Sequence, residues 1–296
     1  MQPYRRGWLR GDCPSCGRTD KFGVQLHVGR TNCFVCGYHE PPLLVVKEIE
    51  GLVDLPAVTS FLKAFEGITY SEPPAELLDE KPAALPKSFK NIMTGDSFLA
   101  NLARKQLRKR GFNIRKLALH GVGYCTSGEY ADRIIIPFYE NGALVYFNAR
   151  RIFALGSKFK NPGIEEFGVG KSLLIYNIDA LKIYRRVYIV ESATNALTIG
   201  DPAIALGGKI ISRYQLSKVL SSPVEECIIL LDDDAWEYAV NLALALTPYK
   251  KVKVIKMPPG QDVNKIGRPA TMKLVKAGDF LEYKQLLKMQ KELEML

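Results

Sequence analysis

Two cysteine pairs at fixed spacing, "CPSC" at 13–16 and "CFVC" at 33–36, constrain the start of this chain more tightly than any hydrophobic pattern in it. A C-x-x-C turn lets two thiolates reach one ion, and two such turns joined by a hairpin supply a closed tetrahedral shell. Gly17 and Gly37 follow the pairs, where a tight knuckle needs a permissive backbone. The spacing predicts one structural zinc site made of Cys13, Cys16, Cys33 and Cys36. "KFGVQLHV" and "RTNCFVCG" would be its strands, turned near Val28–Gly29–Arg30. His27 and His39 lie close by, but four thiolates already fill the shell. Cys125 and Cys227 stand alone and read as small core residues.

The chain has 296 residues, room for about two domains of roughly 100–200 residues each. After the cysteines, one modest helix is expected from near Leu55–Pro56. The segment "TYSEPPAELLDEKPAALPKSF" then reads as an extended acidic linker. "DSFLANLARKQLRKRGF" predicts a helix capped by Asp96 or Ser97 and ended at Gly111. "DRIIIPFYENGALVYFNARRI" predicts a hairpin with Asn141–Gly142 as a type I′ turn. From 187 onward short apolar strands alternate with helices, the pattern of a parallel α/β sheet. "FLEYKQLLKMQKELEML" closes the chain as an amphipathic helix, expected to pack on its own domain rather than dock a partner.

The net charge of +10 is concentrated. Residues 87–186 carry 18 Lys/Arg against 7 Asp/Glu, while 51–86 are net acidic. Such a block suits a polyanion surface. No apolar run reaches the roughly 18 residues a membrane span needs. The opening "MQPYRRGWLRGD" has no apolar h-region. A cytoplasmic protein is expected, with no membrane partner.

"IILLDDDAWEYA" at 228–239 ends a buried strand on three carboxylates. Ligands collect at the carboxyl ends of strands in a parallel sheet, and Glu191, Asp232, Asp234 and Asp262 all follow such strands. In extended geometry Asp232 and Asp234 would point the same way, with Asp233 turned elsewhere to cap the next helix. Oxygen ligands at one rim suit Mg²⁺.

"VESATNAL", "LGG" and "LLDDDAWEYA" resemble the successive motifs of a TOPRIM domain. Their order after a zinc ribbon is similar to bacterial-type DNA primases and to the primase half of phage primase–helicases. "RKRGF", "GYCTSGEYADRIIIPF", "VYFNAR", "SKFKNP" and "GKSLLIYN" resemble, in order, the RNA-polymerase motifs that precede TOPRIM there, and "MPPGQDVNKIG" the segment that closes it. The resemblance covers roughly residues 10–45 and 100–267.

It implies a multidomain α/β protein. A zinc ribbon would occupy 1–45 and a short helix with a linker 46–90. The basic N-terminal, α+β part of an RNA polymerase domain would span 91–182, a TOPRIM subdomain 183–268 and a helical tail 269–296. The implied activity is primer synthesis on a single-stranded DNA template from ribonucleoside triphosphates, beside a separate replicative helicase and DNA polymerase. A phage-encoded copy would work in the bacterial host's cytoplasm.

By the same resemblance Glu191, Asp232 and Asp234 would hold two Mg²⁺ or Mn²⁺ ions, with Lys158 also catalytic. Arg133, Arg150, Asn161, Lys171 and Asp262 would bind nucleotide or template. Four positions depart from the family pattern. Ser192 and Asn195 stand where Gly and Asp are usual, and Trp236–Glu237 where a small Ala–Gly pair is. "GVGKS" at 168–172 is not a phosphate-binding P-loop, because position 165 is Glu and a strand-like "LLIY" follows. The rival readings are a TOPRIM-type nuclease and a non-catalytic DNA-binding mediator.

Overall fold

The computed structural model describes residues 2–5, 8–25, 30–40, 44, 45, 48, 83–153, 157–163, 166 and 171–294. The tip of the cysteine hairpin, the helix near 55, most of the acidic linker and the glycines of "GVGKS" lie outside them. The chain divides into two units, 1–78 and 79–296.

Among its described residues the first unit holds an antiparallel meander of four short strands, β1 (Gln2–Arg5), β2 (Trp8–Gly11), β3 (Phe22–Gln25) and β4 (Arg30–Cys33), hydrogen-bonded in that order. Phe22 pairs with Cys33 across β3 and β4, which sets one cysteine knuckle at the strand end. Among the described residues its core comprises Phe22, Cys13, Cys33 and Val45, with Val24 and Tyr38 against them.

The second unit opens with β5 (Phe89–Asn91), α1 (Phe98–Lys109), α2 (Ile114–Leu119), β6 (Gly123–Cys125), β7 (Arg133–Glu140) and β8 (Ala143–Arg151). Ser97 caps α1, its hydroxyl accepting from the Ala100 N–H at 3.2 Å. Strands β5 to β8 form an antiparallel sheet in chain order. Asn141 and Gly142 both take positive φ, 53° and 79°, while Glu140 pairs with Ala143. That is the two-residue turn whose twist matches its strands.

Then come α3 (Ala180–Ile183), β9 (Arg186–Val190), α4 (Ala193–Ile199), β10 (Ala203–Ala205), α5 (Arg213–Leu220), β11 (Glu226–Leu230), α6 (Trp236–Leu246), β12 (Lys251–Val254), α7 (Val263–Ala277) and α8 (Tyr283–Glu294). The four strands are parallel in the order β10-β9-β11-β12. Alternation along β11 splits the core. Ile228 and Leu230 join the cluster that includes α1, α2 and the antiparallel sheet, while Cys227 and Ile229 join Leu242, Leu246 and Leu286 on the other face. Burying each large aliphatic side chain contributes about 1.5–3 kcal/mol, which is why a strand this apolar sits centrally. Cys125 and Cys227 are buried in the core, and burial pushes their thiols up to about 11 and about 12. Helix α8 packs on α6 through Leu286, with Gln290 donating to Asn241 at 2.9 Å. Among the described residues no helix is long and apolar enough to cross a membrane.

The strand order fixes where a ligand would go. From β9 the chain moves outward to β10, then returns to lay β11 on the other side of β9. The crevice at the carboxyl ends of β9 and β11 is therefore the switch point of the sheet, the usual ligand position in such folds.

Candidate functional site

Glu191 directly follows β9 and Asp232 comes two residues after β11, so the sheet brings residues 41 apart in sequence to one crevice. The run of aspartates does not continue the strand. Asp233–Ala235 form one 3-10 turn, and Asp232 precedes it with φ −64° and ψ 160°. The extended-geometry expectation for Asp232 and Asp234 therefore gives way to a turn. Asp233 does not cap α6. Its Oδ2 accepts from the Gly260 N–H at 2.9 Å, tying the loop after β12 to the strand end. Asp262 is the N-cap of α7, its Oδ1 accepting from the Lys265 N–H at 2.8 Å.

These carboxylates feel one another. Burial, then the charges of Asp232 and Asp234, push Glu191 up to about 7. Burial, then Asp262, push Asp232 up to about 6, against a stabilising hydrogen bond from Asn195. Lys209, which lies just past the Gly207–Gly208 turn after β10, bonds Asp234 at 3.2 Å. Asn195 is buried on α4. Its Nδ2 donates to Asp232 Oδ1 at 2.9 Å and its Oδ1 accepts from the Asn264 N–H at 3.2 Å. Asn264 in turn donates to Thr198 Oγ1 at 2.8 Å and to the Arg110 carbonyl at 3.2 Å.

A basic wall stands in the same unit. After β8, residues 158–160 return against it: the Arg151 N–H donates to the Lys158 carbonyl at 3.1 Å and the Lys160 N–H to the Ala149 carbonyl at 2.9 Å. Arg133 and Asn161 hold that return in place. Arg133 Nη1 donates to the carbonyls of Ala149 and Ser157, and Asn161 Oδ1 accepts from the Ala149 N–H at 3.2 Å. Arg150 and Lys158 then lie over the Phe159 ring, 5.3 and 5.5 Å from its centre. Burial, and then the neighbouring Arg110, lower Arg150 to about 10, opposed by Asp262.

A concavity of about 530 Å³ is lined by Lys109, Arg110, Arg150, Arg151 and Lys158. A smaller one, about 170 Å³, runs from Glu191, Ser192 and Gly207 to Asn148, Phe159 and Asn161. Lys109 and Arg110 also border a groove of about 1170 Å³ that adds Lys116, Lys265 and Arg268. Lys171 begins a 3-10 turn, Lys171–Leu173.

Of the residues singled out by sequence, the structure gathers Glu191, Asp232, Asp234 and Asp262 around the switch point, and Arg150 and Lys158 on the basic wall. Arg133 and Asn161 spend hydrogen bonds on the backbone beside that wall. Lys209, Arg110 and Asn264 were not singled out. Arg110 lay within the quoted "RKRGF" and Asn264 two residues past Asp262, so proximity to motifs was the available signal.

In the first unit the four cysteines form a group positioned for metal binding, with all ligand atoms within 4.8 Å of one another. Cys13 Sγ lies 3.7 Å from Cys36 Sγ, and Cys16 Sγ lies 3.8 Å from Cys33 Sγ. The N–H groups of Cys16 and Val35 point at the sulfurs of Cys13 and Cys33, each at 3.5 Å. The Cys36 N–H, against opposing burial, brings the Cys33 thiol down to about 6, favouring the thiolate a metal needs.

No protein-family profile matches the sequence, and no curated protein does. Solved structures do match. The zinc-binding and RNA polymerase domains of Aquifex aeolicus primase align with 99% of this chain and 84% of that one, at 18% identity and a TM-score of 0.53. The RNA polymerase domain of Mycobacterium tuberculosis primase DnaG, in complex with a double-stranded DNA oligomer carrying a 6-nucleotide overhang, aligns with 66% of this chain and 77% of its own at 21% identity, with a TM-score of 0.54. The E. coli primase catalytic core covers 64% and 77% at 16% identity, with a TM-score of 0.52. The fold of this chain is similar to that of the bacterial-type DNA primases, a four-cysteine ribbon followed by a mixed α/β unit.

Proposed function

We propose that this chain is a DNA primase, which copies single-stranded DNA into short RNA primers by nucleotidyl transfer. The observation that carries the reading is the placement of Glu191 and Asp232 at the switch point of the parallel sheet, in one unit with a wall of arginine and lysine.

The donor set fits a hard divalent cation. Glu191, Asp232 and Asp234 offer only oxygen, and burial with mutual repulsion leaves them short of positive charge. These three would hold Mg²⁺ or Mn²⁺, which when bound supplies Lewis-acid stabilisation of phosphoryl oxygens and eases ionisation of the attacking 3′-hydroxyl. Arg150 and Lys158 neutralise triphosphate and template phosphates. Arg133 and Asn161 keep that pair aimed by fixing the return strand, and Lys171 and Asp262 complete the nucleotide and template contacts. The groove past Lys109 and Arg110 carries template phosphates, so binding weakens steeply with salt.

The cysteine group fits zinc: four sulfurs about 2.3 Å from a central ion have edges of about 3.8 Å, and the two separations above are 3.7 and 3.8 Å. The ribbon would grip template. We assign unwinding to a separate helicase, and extension of the primer to a DNA polymerase. With no membrane helix described, we place the work in the cytoplasm.

The test is incubation of single-stranded DNA, four ribonucleotides and Mg²⁺ or Mn²⁺ with the wild-type chain and with Asp232→Ala. A ladder of template-dependent RNA is expected from the wild type and none from the variant, with folding and DNA binding unchanged. Retained synthesis in the variant overturns the metal assignment. Shortened input DNA without nucleotides would reveal a nuclease instead. Asn195, an amide among the acids, favours a binding protein without chemistry as the second reading; it predicts no RNA and DNA binding indifferent to Asp232→Ala.

A further inference from the structure

We propose that Asn148 is the residue by which this chain selects ribose, its side-chain amide hydrogen-bonding the 2′-hydroxyl of a ribonucleotide whose sugar lies in the small pocket beside Glu191. The inference rests on the nucleotide-joining role given above to that site.

The pocket, about 170 Å³, is lined by Phe138, Tyr146, Asn148, Phe159, Asn161 and Glu191 among others. Cavities that enclose a whole drug-sized ligand measure roughly 300–1,000 Å³, so this one takes a part of a nucleotide. Strand β8 orders its wall. Tyr146, Asn148 and Arg150 alternate with Phe147 and Ala149, which are both 0% exposed, and so form one row on a single face of the strand. The row passes from a buried ring to a half-buried amide to a guanidinium that lines the basic concavity of about 530 Å³. Two strand residues advance about 6.5 Å, enough for a sugar at Asn148 to send its phosphates to Arg150. The return strand repeats the arrangement, with Phe159 in the small pocket and Lys158 in the large one.

The polar groups of the pocket are not equally available. Asn161 Oδ1 accepts from the Ala149 N–H at 3.2 Å. The Ser192 hydroxyl is shared with Thr194 Oγ1 at 2.9 Å and accepts from the Asn195 N–H at 3.3 Å. Among the described residues nothing pairs with the side-chain amide of Asn148, although the residue is half-buried. An amide offers a donor and an acceptor together, and a hydroxyl answers both. The base of a nucleotide must keep its pairing edge free for the template, and the phosphates have Arg150 and Lys158. The sugar is the part left for the protein to hold, and its 2′-hydroxyl is what tells a ribonucleotide from a deoxyribonucleotide.

Equilibrium dialysis of the zinc-loaded full chain with ATP, 2′-deoxy-ATP and 3′-deoxy-ATP, in Mg²⁺ and without DNA, tests this. The wild type should bind ATP and 3′-deoxy-ATP alike, and 2′-deoxy-ATP roughly five- to tenfold more weakly, the scale of one hydrogen bond. Asn148→Leu, close in size to the amide, should lose that margin by weakening the two nucleotides that carry a 2′-hydroxyl. Asn148→Ala, which adds no bulk, should do the same. A wild type that binds no nucleotide, or is indifferent to the 2′-hydroxyl, overturns the proposal. So does a margin that survives both variants, or a loss that falls equally on all three nucleotides. Primer synthesis on single-stranded DNA is scored separately. A chain that loses the margin at Asn148 yet makes no RNA even as wild type retires the primase reading and leaves the sugar assignment standing. A chain that makes RNA with its margin intact in both variants retires the assignment alone.

Discussion

The cysteine cluster and the acid cluster are both sets of four metal-type ligands, yet they are built in opposite ways. The cysteines lie within 4.8 Å of one another, and backbone N–H groups stabilise their charge. Among the described residues no acidic group closes up like this. The acids are spread over a strand end, a 3-10 turn and a helix cap, and their charge is met by an amide and an ammonium from neighbouring loops and helices. A closed shell makes the metal part of the fold. An open one keeps coordination positions for substrate.

The sharpest way to break that contrast is to remove one ligand from the closed set. Cys13→Ser should lose the ion and with it the first unit's structure. Structural zinc contributes an apparent ~10–16 kcal/mol in comparable small modules, so losing the ion should undo the ribbon around Phe22 and Val45. Zinc content and hydrogen exchange on residues 8–40 should collapse together, while the melting of 83–294 stays put. A first unit that keeps its protection without the ion would mean that the ribbon folds by packing, and the contrast would fail.

Next in size is the basic wall. Arg150→Ala removes a half-buried guanidinium that faces Arg110 and Asp262, so it should weaken single-stranded DNA binding and lower the salt slope of the binding constant by about 0.7, one phosphate contact. Arg133→Ala acts through the return strand and should weaken binding while leaving the slope nearly unchanged. Equal slopes for both variants would show that Arg133 touches phosphate itself rather than positioning its neighbours.

What the sequence made legible divides by range. Local signals read true: Ser97 at its helix start, Asn141–Gly142 at its turn, and the alternation that placed 187–254 in a parallel sheet. The strands β1 and β2 carry no period worth reading, since "QPYR" and "WLRG" mix charge and bulk freely. The turn at Asp233 escaped because period-two reasoning assumes that a strand continues until something visible stops it. The decisive partners were unreadable for a different reason. Asn195 meets Asp232 across 37 positions and Lys209 meets Asp234 across 25, contacts that exist only once the sheet has been ordered.

The smallest effect tests the acid cluster's tension directly. Glu191 is pushed up to about 7 by burial and then by its acidic neighbours. The folded state therefore holds a proton that the unfolded chain gives up near its ordinary value of 4.5. The sign follows: this group's contribution to stability is fully present below about pH 4.5 and is lost as pH rises through about 7. Glu191→Gln cannot ionise, so wild type and variant should melt alike near pH 5. At pH 8, without divalent ions, the variant should melt higher by roughly 2–4 °C, the shift for about 1 kcal/mol in a unit of this size once solvent screening is allowed for. Millimolar Mn²⁺ should close or reverse that gap, since binding stabilises only the chain that keeps the carboxylate. Parallel melting curves at every pH would mean that the acids carry no tension for a cation to relieve, and the open cluster would then differ from the closed one in geometry alone.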